Sequence, residues 1–205
     1  MIDALAHFCL KFGHVTFIPA IVVILTVLYR RDTYAKALCL LAWVMIFNTL
    51  LKQLFKVPLM PHLGTGYAFP SGHMHAAAVF YGYMLFRSRS KMAKSLLVLI
   101  LVSLGWSLIY CCFHDVLDIL GAVAFAATEI SAYHFLETKF GNGITAAVSL
   151  ISAALIILCL SVIYRIEPHI WIALCGLLCA EFALFVSKGR RIEKIAEKLR
   201  ILQKH

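Results

Sequence analysis

Long apolar runs dominate this 205-residue chain and limit what it can fold into. Seven can be drawn, at about 15–29, 36–51, 71–86, 92–111, 115–136, 144–164 and 170–187. In hydrocarbon every backbone N–H and C=O must find its partner inside the protein, so runs of this length form helices rather than open sheets. Charged residues make up only 14% of the sequence, against about 25% in a soluble domain. The chain therefore reads as one all-α domain over residues 1–205, a polytopic transmembrane helical bundle of six to seven transmembrane helices. The first three runs fall short of the roughly 20 residues that a ~30 Å hydrocarbon core requires. Their helices must extend into the flanks, and the third is expected to begin within Ser71-Gly72-His73.

The positive charge is unevenly placed. Seven crossings put residues 30–35, 87–91, 137–143 and the segment from Lys188 on one side, and 15 of the 19 lysines and arginines lie on or near those stretches. Only Lys11, Lys52, Lys56 and Arg165 fall on the other side. Basic loops stay in the cytoplasm. The C-terminus is therefore expected in the cytoplasm, and residues 52–70 and the turns at 111–115 and 165–169 on the outer face. A net charge of +9 arranged in this way points to the lipid bilayer as partner and not to nucleic acid. Residues 1–14 show no cleavable-signal pattern. With Ile2, Leu5, Phe8, Cys9 and Phe12 at helical spacing, they suit an interfacial N-terminal helix. Residues 188–205 read as an amphipathic, basic cytoplasmic tail. Seven cysteines without regular spacing suggest neither a disulfide framework nor a zinc site.

The polar residues capable of chemistry gather on the outer side. Lys52 ends the second run, Pro70-Ser71-Gly72-His73 opens the third, and His114, Asp115 and Asp118 open the fifth. Antiparallel helices with short turns bring such ends together. His114 and Asp118 are four residues apart, neighbours on one helical face. A carboxylate holding one imidazole nitrogen leaves the other free to attack. Ser71 suits an N-cap, and the N–H groups that follow it form an anion site. His73 is placed to protonate a leaving oxygen. His75, His62 and His169 read as structural or surface histidines, and Glu129 as a carboxylate that needs an interhelical partner.

These residues also fall in an ordered pattern. Lys52 begins Lys-Gln-Leu-Phe-Lys-Val-Pro-Leu-Met, Pro-Ser-Gly-His follows at 70–73, and Ser107 to Asp118 carries the spacing Ser-x6-His-x3-Asp with Gly121 beyond. The set resembles the three motifs of the type 2 phosphatidic acid phosphatase superfamily, the integral-membrane lipid phosphatases related to vanadium haloperoxidases. It covers residues 36–136 closely. The resemblance implies a shared helical core and a lipid phosphatase or phosphotransferase acting on a lipid phosphate or pyrophosphate. The site would lie on the outer face of a membrane, here a bacterial inner membrane. It implies His114 as the nucleophile that forms a phosphohistidine, Asp118 as its orienting group and His73 as the general acid. Lys52, Ser71 and Gly72 would hold phosphate oxygens, with no metal or cofactor.

The chain departs from the family pattern where two arginines clamp the phosphate. Leu59 and Leu108 stand at those positions, and Met60 replaces the proline of the first motif. Leucine cannot supply a planar, charged, bidentate contact. Three readings follow. Lys56, one helical turn beyond Lys52, compensates together with Thr65, Tyr67, His75 or Tyr110; or the reacting phosphoryl group carries less charge; or the protein is a catalytically silent binder of lipid phosphate or of a membrane partner.

Overall fold

The computed structural model describes residues 2–14, 17–18, 20–21, 24, 32–163 and 166–202, and only the backbone of 190–202. Most of the expected 15–29 helix, Arg165 and the apolar face of the tail lie outside the described residues. The described elements are α1 (Ile2–Leu10), α2 (Asp32–Phe55), α3 (Gly72–Arg87), α4 (Lys91–Tyr110), α5 (Val116–Ile163) and α6 (Pro168–Leu202), with two short 3-10 turns and no strand among them. Among the described residues four helices are long and apolar enough to cross a membrane: α2, α4, α5 and the Pro168–Gly189 part of α6.

α5 is one helix only in outline. Gly141 breaks it with φ 76° and ψ 171°, a backbone state that glycine adopts at little cost. A loop over 137–143 is expected from the sequence; the helix instead runs through Glu137 to Phe140 and breaks at this one residue. Cross-links to α2 show that the two halves run in opposite directions. Glu137 pairs with Lys36 near the start of α2. Ser152 accepts from Trp43 Nε1 at 2.9 Å near its middle, and His169, just past the second half, meets Thr49 near its end. α6 then returns, so that Ser187 donates to Asp32 at 2.9 Å.

Packing follows the spacing of small residues. Ala35, Cys39, Ala42 and Ile46 of α2 share a cluster with Ala173, Leu177, Ala180 and Leu184 of α6. Both sets step by four, three and four residues, the seam of left-handed helix packing. Close approach of small side chains is what holds helices together where lipid is as apolar as leucine. The outward faces are apolar too: Met92, Leu96, Leu99 and Val102 form an exposed stripe along α4. An exposed apolar face of this extent is consistent with an integral membrane protein.

α3 has 16 residues and a length of about 24 Å, too short to span hydrocarbon alone. It does not face lipid alone: Met74, Ala77, Ala78, Val79, Phe80, Tyr81 and Tyr83 are all buried in a cluster shared with α2, α4 and α5. The loop from Lys56 to Ser71 covers its N-terminal end. α1 lies against α4 through Ala6 and Cys9 and is tied by Tyr110 Oη donating to Asp3 at 2.8 Å. Ile2, Leu5 and Phe8 face outward.

Candidate functional site

The turn between α4 and α5 is set by backbone chemistry. Cys112 takes φ 54°, and the N–H groups of Phe113 and His114 return to the carbonyl of Leu108 at 3.0 and 3.3 Å. α5 then starts with a reciprocal cap. Asp118 N–H donates to Asp115 Oδ1 at 2.9 Å, and Asp115 N–H donates to Asp118 Oδ2 at 3.3 Å. A carboxylate in the first turn also complements the positive end of the helix dipole. The same Oδ2 lies 2.9 Å from His114 Nδ1. The pairing expected from sequence is present, but its cause differs. His114 precedes the helix, and the capping arrangement, not a shared helical face, aims Asp118 at it.

His114 and Asp118 are both buried, at 6% and 3% exposure. Burial holds the His114 imidazole below its ordinary value of 6.5, opposing the pull of Asp118 toward the charged form. A neutral ring whose Nδ1–H donates to Asp118 leaves Nε2 as the basic nitrogen.

Ser71 caps α3 as expected, accepting from Met74 N–H at 3.3 Å, while its own N–H donates to the carbonyl of Asp118 at 3.2 Å. That bond ties the second polar cluster to the third. Gly121 completes the junction. A Cβ there would lie 2.3 Å from the Phe69 ring, so only glycine lets the Phe69–Ser71 segment seat on α5. Lys52 Nζ donates to the Tyr67 carbonyl at 2.7 Å and so fastens the covering loop. Gly72 sits beside it: a Cβ on Gly72 would be 4.0 Å from Lys52 Cε.

These elements enclose a cavity of about 1100 Å³ lined by Lys52, Gly72, His73 and His114, with Leu59, Leu63, Thr65, Gly66 and Tyr67 of the loop as one wall. His73 is exposed and lines this cavity. Of the residues expected to act together, Lys52, Gly72, His73 and His114 reach it, with Asp118 and Ser71 in support. Lys56 does not. α2 ends at Phe55, and Lys56 turns away at φ 50°, exposed and outside the lining. The last turn is closed by Lys56 N–H donating to the Lys52 carbonyl at 3.0 Å, but the positive φ of Lys56 ends the helix at that residue. The two leucines also part company. Leu59 lines the cavity, whereas Leu108 is 2% exposed in the apolar core. Ser107 donates to the Ser103 carbonyl at 2.7 Å and is fully buried. No group of three or more histidine, cysteine or acidic side chains suited to a metal ion occurs among the described residues.

No family model, curated protein or solved structure matches the chain.

Two groups join the site that reasoning from sequence does not assign to it. His169 Nδ1 lies 3.1 Å from Glu167 Oε2 and its Nε2 lies 3.3 Å from Thr49 Oγ1. Glu167, His169 and Thr49 all line the cavity. The usable signal is the outer-face position of the 165–169 turn, not any motif. Asn48, also in the lining, approaches His75 Nδ1 at 2.9 Å, and His75 Nε2 meets both Glu129 oxygens at 3.1 Å. His75 is fully buried. The Asn48 atom that faces the ring is Nδ2, which can only donate, so it donates to Nδ1 and His75 donates from Nε2 to Glu129. The structural reading of His75 and the need of Glu129 for a partner are met by one network.

Proposed function

We propose that the protein is a membrane lipid phosphatase or phosphotransferase that works through a phosphohistidine intermediate. The observation that carries this reading is the His114–Asp118 pair at 2.9 Å on a cavity that also holds His73 and Lys52. His114 Nε2 attacks phosphorus with its lone pair while Asp118 stabilises the imidazolium that forms. His73 protonates the departing oxygen, and water or an acceptor hydroxyl, deprotonated by His73, then breaks the N–P bond. Lys52 and the first N–H groups of α3 face the phosphoryl oxygens, supplying charge where it develops. The apolar remainder of the lining, including Ile18, Leu41 and Val44, suits the chain of a lipid.

On the same proposal the bundle has six to seven crossings and a core like that of type 2 phosphatidic acid phosphatases. It lies in a bacterial inner membrane with the cavity on the outer face, α1 in the interface and the basic tail in the cytoplasm. A second reading, a catalytically silent binder of lipid phosphate, draws on Leu59 standing in the cavity wall where the family carries a clamp.

Purified protein in detergent, offered lipid phosphates and pyrophosphates, separates the two. His114→Ala should lower headgroup release by about 10³-fold or more. Release that persists in this variant rejects the mechanism. Saturable binding without turnover on any substrate favours the silent binder.

A further inference from the structure

The cavity extends well below its polar mouth. Leu41, Val44, Met45, Asn48, Thr49 and Lys52 all line it, and steps of three and one residues keep them on one face of α2. Leu41 is eleven residues from Lys52, which places it about 16 Å deeper along the helix axis. Lysine stands at the top of this face and aliphatic side chains at the bottom. Polarity therefore falls in the direction in which a lipid passes from headgroup to chain.

The lower end is packed shut. Leu41 is 2% exposed, and Val44 and Ile18 are 1% exposed, although all three belong to the lining. They sit in one apolar cluster with Ala37, Leu40 and Ala77. Met45 and Ala76, nearer the mouth, are only half-buried. Ile18 is held from outside α2. Its N–H donates to the His14 carbonyl at 3.3 Å, and Tyr81 Oη fixes the preceding turn by donating to the Phe12 carbonyl at 2.9 Å. Gly13, also in the lining, seats that turn against α4, since a Cβ there would lie 2.8 Å from both methyl carbons of Leu104. The residues at the lower end thus belong to the close-packed core, which yields little to an extra methylene.

We propose that the hydrocarbon chain of the substrate lies inside the bundle along α2, and that its end meets Ile18, Leu41 and Val44, which thereby select chain length. The proposal deepens the lipid reading of the same cavity and rests on it. A chain left in the bilayer meets no such stop, because lipid tails are as apolar as the side chains they replace. A chain against packed side chains does: one methylene too many in a fixed apolar pocket costs about tenfold or more.

Phosphate release from single-chain alkyl phosphates of increasing length, at equal mole fraction in mixed micelles, gives the length profile of the full chain. Turnover should fall about tenfold at the first methylene past the optimum. Val44→Ala should move the optimum to longer chains and Val44→Phe to shorter ones. Val102→Ala, on the outward face of α4, should leave it in place. Saturable binding of the same series by His114→Ala gives a second readout that needs no turnover. Melting temperature identifies a variant that has not folded, and if Val44→Phe fails, Val44→Ala carries the test. A profile unchanged in Val44→Ala, or shifted equally by Val102→Ala, overturns the assignment. His114-dependent release that does not vary with chain length defeats this inference and leaves the phosphohistidine reading standing. Length-selective binding that follows Val44, without release from any member of the series, defeats the phosphohistidine reading and supports this one. No saturable binding of any alkyl phosphate defeats both.

Discussion

His114 carries two opposed influences on its proton. Burial disfavours the imidazolium, and the Asp118 carboxylate at 2.9 Å favours it; burial prevails and the ring is held below 6.5. On the proposed mechanism His114 needs a free lone pair, so the acid limb of kcat/KM should fall below pH 6.5, lower than for an exposed histidine. A limb above 6.5 in a pH–rate profile would contradict this. The same depression costs stability as pH falls from 6.5 toward the folded value, because in that window the unfolded chain binds more protons. The two leucines differ in kind. Leu59→Arg enters the cavity wall and should raise phosphatidate turnover roughly tenfold by supplying a further cation. Leu108→Arg buries a charge without a partner, a cost of at least about 3 kcal/mol. It should reduce the yield of folded protein, and equal yields of the two variants would count against the burial of Leu108. The sequence marks both positions equally as motif departures. Only packing tells them apart, because no local signal says which side of the α4–α5 turn faces solvent.

The junction of α3 and α5 depends on one missing methyl group. Phe69 occupies the space beside Gly121 and stacks edge-on with Phe55 at 4.8 Å between centroids, so its ring has little room to retreat. Gly121→Ala should cost about 1–3 kcal/mol of stability by overpacking. It should lower turnover more than the melting temperature suggests, because Phe69 leads directly into Ser71. Thermal unfolding and turnover measured together check this, and the double variant Gly121→Ala/Phe69→Leu should recover stability. At this scale the start of α3 and its Ser71 cap are legible in the chain, since capping is local. The His114–Asp118 spacing is legible as well. The end of α2 is not, so the spacing of Lys52 and Lys56 does not say that Lys56 lies outside the cavity lining. Helix propensity alone does not say whether residue 55 or 59 is last when loop contacts compete.

The bundle brings together polar side chains from several separate segments of the chain at one end. Lys52, His73, His114 and Glu167 come from separate segments, yet alternation of helix direction puts them on one cavity. Among the described residues, Lys36, Arg87, Lys139 and Lys188 lie toward the other end. A reporter fused after His205 should therefore be active only in the cytoplasm, and an external signal would reverse the proposed orientation. An all-helical fold, the gathering of chemistry at one end and the His114–Asp118 pairing all follow from the sequence, because hydropathy and short-range spacing encode them. The tertiary structure decided the rest. It closed the cavity with the 56–71 loop, buried Leu108, excluded Lys56 and added Glu167 and His169. Those outcomes depend on which surfaces meet across tens to more than a hundred residues, and that is settled by packing of the whole bundle rather than by any stretch of chain alone.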